Sequence, residues 1–439
     1  MMLEMPTWLN RELTECADRQ TNWPTEIASL SRHYADSLLK KGLPTRKDER
    51  WKYTDLSWIV DAPIRAEERA KCESRSMSDI NNGFVSQLSD TNRICITLIN
   101  GQYFPSHSDY LERLPSNVII TSLQTANREY PDLLKQYWPD HQDRLIYEQH
   151  PFAAYNAAVF TDGLFFYLPD RCQIDLPIHL LSIVTDESFI MHPRHLFILG
   201  KNSKLTLLEE YRSLSKRSYF MNMVTHIYLD DHAQLNHSKL QQEHIDAIHF
   251  AHTTVQQQHD SIASLNYFSN GGLFARDDVI VQLQAPGATC KTNGFYRLNR
   301  DNQYVDYHID IQHQAPHTQS EMAYKGILDK KSRAVFNGRL YVEKNAQKTT
   351  AYQSNHNLLL STQAEMNSKP ELEIHADDVK CKHGATIGQL DQDALFYLCS
   401  RGIDRQDAID ILLQGFAKDI LQCINSPAIY HHIEAKVNL

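Results

Sequence analysis

From Leu176 to Gly388 the sequence repeats one pattern, a short strand-like run followed by a turn of small or polar residues. The clearest strand runs are His179–Val184, His195–Leu199, Lys204–Glu209, Thr225–Leu229, Val279–Leu283, Tyr304–Ile311 and Ala334–Val342. The turns between them read Lys201-Asn-Ser203, Asp231-His-Ala233, His259-Asp-Ser261, Pro286-Gly-Ala288 and Lys344-Asn-Ala346. Where the turns are clear they recur roughly every 25 to 30 residues, within the range of repeat architectures. No segment of helical period interrupts them. Many short strands without helices restrict the fold to a sandwich, a barrel or a β-solenoid. The long, regular spacing favours the solenoid, in which each coil buries its face on its neighbours.

Helical patterns flank this region. Thr25 to Leu39 places Ile27, Leu30, Tyr34, Leu38 and Leu39 at near-helical spacing, with Gly42 as a stop and Pro44 beyond it. The charged segment Gly42–Thr54 carries Trp51 and Tyr53 and reads as a docking loop packed by those rings. Ile94–Ile99 reads as a strand, and Glu129–Phe160 contains helix. After Asp391 the chain turns helical again. Asp391 or Asp393 can cap a helix through Cys399, with Gly402 as its terminator. Asp404 can cap a second helix whose stripe is Ile409, Leu412, Leu413, Phe416, Ile420 and Ile424, ended by Pro427. That helical pair is expected to close an end of the solenoid or to offer a surface to a partner. The chain therefore divides into a helical part over 1–90, a β core over 91–388 that is clearest from 176, and a helical part over 389–439.

At 439 residues the chain exceeds one simple core. A net charge of -10 argues against a general nucleic-acid binder. The polar N-terminus lacks the apolar stretch of a signal peptide, and no apolar run approaches the ~18 residues of a membrane helix. A cytoplasmic protein is expected. The eight cysteines, Cys16, Cys72, Cys95, Cys172, Cys290, Cys381, Cys399 and Cys423, are scattered without a CxxC, so free thiols are expected. No closely spaced set of four resembles a ferredoxin cluster motif.

The densest chemistry lies in Lys369–Thr386, which gathers His375, Asp377, Asp378, Cys381 and His383. Cys381 and His383 stand at i and i+2, on one face of an extended strand. Thiolate and imidazole both suit iron or zinc, but two donors do not close a site, so other segments or another chain must complete it. The competing reading is a buried thiol acting as a small hydrophobe. Leu372, Ile374 and Ala376 alternate as an inward face, while Val379 has the opposite parity. A bulge near Asp377–Asp378 accounts for the slip, and a reset there turns Cys381 and His383 inward with Val379. Walker A, GxSxG, HExxH and GxGxxG motifs are absent, which leaves hydrolase, zinc peptidase and dinucleotide chemistry unsupported. Asp306 and Asp310 share a strand face and could serve a carbohydrate-active β-helix enzyme, although solvated acidic side chains on a strand are commoner than a catalytic pair.

Several runs together resemble the SufB/SufD family of iron–sulfur cluster assembly proteins. They are Lys331–Gly338, Ala346–Gln353, Asn357–Ser361, Lys369–Thr386, Leu395–Ile403 and the Gly415-Phe416 helix. Gly42–Thr54 and the Asp-Val-Lys-Cys-x-His-Gly-Ala-Thr form of 378–386 are similar to the SufD branch in particular, rather than to SufB-like primary scaffolds. The resemblance implies a mainly β protein, a right-handed parallel β-helix flanked by N- and C-terminal helical domains. It implies a non-catalytic scaffold subunit that pairs with a SufB-like paralogue and binds a SufC-like ABC ATPase through its C-terminal helices. In the paralogue's absence it implies a homodimer through the same face. A transient iron–sulfur cluster shared with the partner is implied, with reduced flavin associated with the complex and no flavin motif in this chain. On this resemblance His383 is the interface ligand to cluster or iron. Cys381 matches a family cysteine that is not made essential. The ATPase-docking region covers Asp404, Asp407, Leu412, Phe416 and Lys418.

Overall fold

The computed structural model describes residues 5–15, 23–60, 92–138, 143–185, 190–215 and 217–437. The stretch 61–90 of the expected N-terminal helical part lies outside the described residues, as do Cys16 and Cys72. The fold is a parallel β-helix of two sheets, with helices before and after it. Consecutive strands from Lys204–Ser213 onward alternate between the sheets, so each coil contributes one strand to each. Gln234 stands beside Ile262, Ile262 beside Thr289, Thr289 beside Gln319 and Gln319 beside Thr350, so a coil takes 27 to 31 residues.

The recurring turn is the physical origin of that period. Asn202, His232, Asp260, Gly287, His317 and Lys348 all have positive φ, at the same corner of successive coils. Left-handed backbone costs a residue with a Cβ about 1–2 kcal/mol, least for Asn and Asp, and nothing for glycine. Each such residue is followed by a small buried one: Ser203, Ala233, Ser261, Ala288, Thr318 and Thr349. The corners are tied between coils by backbone bonds such as Asn202 N–H to the Asp231 carbonyl (2.9 Å) and His232 N–H to the His259 carbonyl (2.8 Å). In the last of these turns the left-handed residue is Lys348 rather than Asn345, because that loop is longer. The corner at His317, hidden in Ala315-Pro-His-Thr318, belongs to the same stack.

Inside the coils, one end is aliphatic and aromatic and the middle is polar. Ile178, Leu205, Leu207, Leu235 and Leu265 pack with Phe166, Phe197, Ile227 and Val255. Farther along the strands Lys239 meets Asp277, and His237 meets Glu209 at 2.8 Å. The helices cover the two outer faces. Thr25–Lys41 packs on Pro151–Val159, with Ser31 donating to the Ala157 carbonyl (2.8 Å). Together with Trp8, Leu9 and Trp51 they cover Phe220, Phe250 and Phe274 of one sheet. At the other face Leu413, Ala417, Ile420 and Leu421 of Arg405–Leu421 lie over Leu240, Phe268 and Phe295. Each such fully buried large side chain stabilises by about 1.5–3 kcal/mol.

The second C-terminal helix therefore does not close an end of the solenoid: its apolar stripe matches the outward residues of a sheet, not the coil's cross-section. Asp391 caps the first helix, accepting from Asp393 and Ala394 N–H, and Gly402 ends it. Asp404 occupies the cap of the second without a side-chain bond. Pro427 does not end that helix, which stops at Leu421, but opens a third, Pro427–Glu434. Proline suits the first helical position because its missing N–H has no partner there. Among the described residues Glu129–Phe160 likewise holds the helices Pro131–Tyr137, Asp143–Gln149 and Pro151–Val159.

Candidate functional site

Lys380–Gly388 is the last strand of its sheet and pairs on one side only, with Thr350–Leu359. Glu365–Ile374 is likewise the edge of the other sheet. The final coil is thus open to solvent. Asp377 and Asp378 form the corner between its two strands, so the parity change is a coil corner and not a bulge. Past that corner Cys381 stands beside Ala351, His383 beside Gln353, Ala385 beside Asn355 and Ile387 beside Asn357. Those four partners are buried and face the lumen. Cys381, His383, Ala385 and Ile387 continue the lumenal rows into a coil above which no further described strand pairs, so facing inward and facing outward along the axis coincide here.

Gln353 spans the lumen and donates to the Gly338 carbonyl at 3.0 Å, and a Cβ on Gly338 would collide with the Gln353 amide. His383 follows Gln353 in its row, and Pro370 follows Gly338 in the facing row. The His383 side chain is exposed and has no hydrogen bond among the described residues. Cys381 is half-buried against the core, and burial pushes its thiol above the ordinary value, which disfavours thiolate. Two of the other polar residues of the motif are engaged elsewhere. Asp378 is bonded to Lys348, and His375 lies 3.1 Å from Glu373. Of the five, the fold brings only Cys381 and His383 to one lumenal face. Two donors remain an incomplete shell, as their number implied.

Asp306 and Asp310 do not form an open acidic pair. Asp306 is buried and accepts from Arg276 (2.7 Å) and Thr54 (2.6 Å), with His308 2.9 Å away. Burial raises the Asp306 carboxyl, but the charges of Arg276 and His308 outweigh it and hold the group below its ordinary value. Asp310 accepts from Arg339 at 2.9 Å. Above them lies the Gly42–Thr54 segment, packed by Trp51 and less by Tyr53: Trp51 is buried, the Arg276 guanidinium lies 3.7 Å from its ring centre, Tyr53 is half-buried, and Tyr304 donates to the Tyr53 carbonyl. Lys369, on the last coil, reaches Glu49 of that loop at 2.5 Å. Asp306 and Asp310 are thus both committed to ion pairs, Asp306 with Arg276 and Asp310 with Arg339.

In the C-terminal helices Asp404, Asp407 and Lys418 are exposed, and Leu412 is half-exposed. Phe416 packs at the sheet, its carbonyl accepting from Lys325 at 2.9 Å, and Lys325 also reaches Asp419 at 2.7 Å. The strongest apolar exposure falls on residues the stripe did not include. Phe396 is 74 % exposed, Tyr397 61 % and Ile411 45 %. Contiguous exposed aromatics mark interaction surfaces, and the run Leu395-Phe-Tyr-Leu398, apolar all round one short helix, carried that signal.

Among the described residues no helix is long and apolar enough to cross a membrane. The chain matches the family described as "SUF system FeS cluster assembly, SufBD core domain" over residues 182–416, and "SufBD protein N-terminal region" over residues 20–180. It is 32 % identical over 402 residues to an iron–sulfur cluster assembly SufBD family protein of Synechocystis, covering 89 % of this chain and 86 % of the relative. It is 28 % identical over 414 residues to the iron–sulfur cluster assembly protein SufD of Escherichia coli, covering 94 % and 93 %. To the protein of that name in Bacillus subtilis it is 22 % identical, covering 91 % and 90 %. With the β-helix, its two helical flanks and these matches in hand, the chain belongs to the SufBD family of SUF-system iron–sulfur cluster assembly proteins, and is of the SufD type.

Proposed function

We propose that this chain is a non-catalytic scaffold subunit that holds a nascent iron–sulfur cluster jointly with a SufB-like partner. The observation that carries the reading is the open final coil, with His383 exposed on a lumenal row that no described residue covers. A partner seated on the edges Glu365–Ile374 and Lys380–Gly388 supplies the missing donors. Imidazole replacing thiolate on iron raises a cluster's potential, and a shell split between two chains opens when the chains move. Cys381, half-buried and hard to ionise, has a secondary part. In the partner's absence two copies of this chain meet through the same edge.

The C-terminal helical part, 389–439, docks a SufC-like ABC ATPase through Asp404, Asp407, Leu412, Phe416 and Lys418, widened here to Phe396, Tyr397 and Ile411. ATP-driven dimerisation of that ATPase pulls on Arg405–Leu421. This helix rests on Thr289–Leu298 and Gln319–Leu328, in the same sheet whose edge carries His383. Movement of the helix thereby reaches the shared site. Reduced flavin, where the complex uses it, is held outside the residues assigned here, and the assembly works in the cytoplasm.

The test is an anaerobic pull-down of the tagged chain from its native cells, with mass spectrometry and iron and sulfide assay. Recovery of a SufB-like paralogue and a SufC-like ATPase with iron and sulfide is expected. Recovery of the chain alone and free of metal would overturn the proposal. Charge reversal at Asp407 and Lys418 is expected to lose the ATPase with the fold intact; retention would leave that helix a packing element only.

A further inference from the structure

A second group of donors lies on the outer face of the sheet, far along the sequence from the open coil. His179 comes from Ile178–Val184, Glu210 from Lys204–Ser213 and His432 from Pro427–Glu434. Their donor atoms all lie within 4.8 Å of one another. His179 Nε2 is 2.9 Å from Glu210 Oε2, and His432 Nε2 is 2.8 Å from the same oxygen. The other carboxylate oxygen, Oε1, is taken by Arg212 Nε at 2.5 Å.

We propose that His179, Glu210 and His432 form a divalent transition-metal site of the zinc class that clamps the last helix to the β-helix. Two imidazoles and one monodentate carboxylate suit zinc or ferrous iron, with a fourth position left for water. The independent observation is His179 itself. It is 1 % exposed, and neither ring nitrogen makes a hydrogen bond, although Nε2 lies close to Oε2. The ring's in-plane N–H direction misses that oxygen. A buried imidazole nitrogen left without a partner is costly, and a cation bound at Nε2 removes that cost.

Opposing a cation are Arg212 on Oε1 and the nearby charges of Arg93 and Lys436. Arg212 leaves only Oε2 for metal and fixes the carboxylate from behind. His432 is partly exposed and provides the entry side.

The test uses the full chain, freed of metal, in a Cys381→Ser/His383→Ala background so that the open coil contributes nothing. Zn²⁺ is titrated calorimetrically, and Co²⁺ is added for its visible ligand-field bands. One equivalent of Zn²⁺ is expected, with Co²⁺ bands of a four- or five-coordinate site. His432→Ala is expected to lose both, and His431→Ala, on the same helix but 74 % exposed, to keep both. Zn²⁺ is also expected to slow amide exchange over Pro427–Glu434 in the His432-containing protein alone. Equal Zn²⁺ stoichiometry and Co²⁺ spectra with and without His432, or no binding by the His432-containing protein, would overturn the proposal.

Discussion

The polar lumen makes a quantitative prediction at Lys239 and Asp277. Lys239 rises from one sheet and Asp277 from the other, so their contact crosses the coil, Nζ to Oδ1 at 2.5 Å. They are 2 % and 3 % exposed. Lys239 Nζ also lies 3.4 Å from His249 Nε2, and His249 is 2.7 Å from Glu243. Lys239→Met keeps most of the side-chain volume and removes the charge, leaving a buried carboxylate without its cation. Breaking a buried pair on one side costs about 3–5 kcal/mol, whereas replacing both partners with apolar groups is neutral or stabilises by about 1–4 kcal/mol. Lys239→Met and Asp277→Leu should each therefore destabilise by about 3–5 kcal/mol, and the double variant should recover most of the loss. The coupling should amount to several kcal/mol, well above the ~0.5 kcal/mol scatter of independent sites. Urea unfolding gives the totals. Amide exchange over Gln234–Gln242 and Phe274–Leu283 shows that the loss sits in these coils. A single variant costing under ~1 kcal/mol, or a double variant costing the sum of the two, would refute a dry lumenal pair.

Two further predictions concern the loop and acid. Trp51→Ala should cost about 3–5 kcal/mol as a buried aromatic truncation, undock Gly42–Thr54 and expose it to protease, while Trp51→Phe retains most of the packing; equal cleavage of Trp51→Ala and the parent would contradict the docked loop. Burial raises the Glu209 carboxyl, but the hydrogen bond and charge of His237 and the charge of Lys239 outweigh it and hold the group at about 2, below an unfolded value near 4.5. Its contribution is then full above pH ~4.5, about 3 kcal/mol by linkage, and is lost as pH falls toward 2; Glu209→Gln should flatten that part of an acid-unfolding series, and an unchanged slope would count against it.

How much was legible in the sequence follows from what each pattern measures. The turns were readable because Asn202, His232, Asp260 and Gly287 are the residue types that tolerate left-handed backbone, each followed by a small residue. Strands with aliphatic lumenal rows were readable for the same kind of reason. Gln234–Gln242, Gln-Leu-Asn-His-Ser-Lys-Leu-Gln-Gln, was not, because its lumenal positions hold His237, Lys239 and Gln241 in paired polar contacts. A strand buried on both faces also lacks the alternation that marks a half-exposed one. The Asp377–Asp378 slip was visible, but a coil corner and a bulge look alike in parity. The stripe of Arg405–Leu421 showed an apolar face without showing which surface it meets. Cys381 and His383 could be singled out because they are two residues apart, and the role expected of His383 came from the family resemblance; His179, Glu210 and His432 come from three separate elements that only the fold brings together.

The most direct measurement of the central claim is the iron and acid-labile sulfide content of the anaerobically purified complex, with His383 intact and as His383→Ala. The partner should co-purify with both forms, since the change removes one exposed side chain and no backbone edge. Iron and sulfide should fall together in His383→Ala, and so should transfer to an apo-ferredoxin. Unchanged cluster content and transfer, with the partner still bound, would contradict His383 as the ligand this chain contributes.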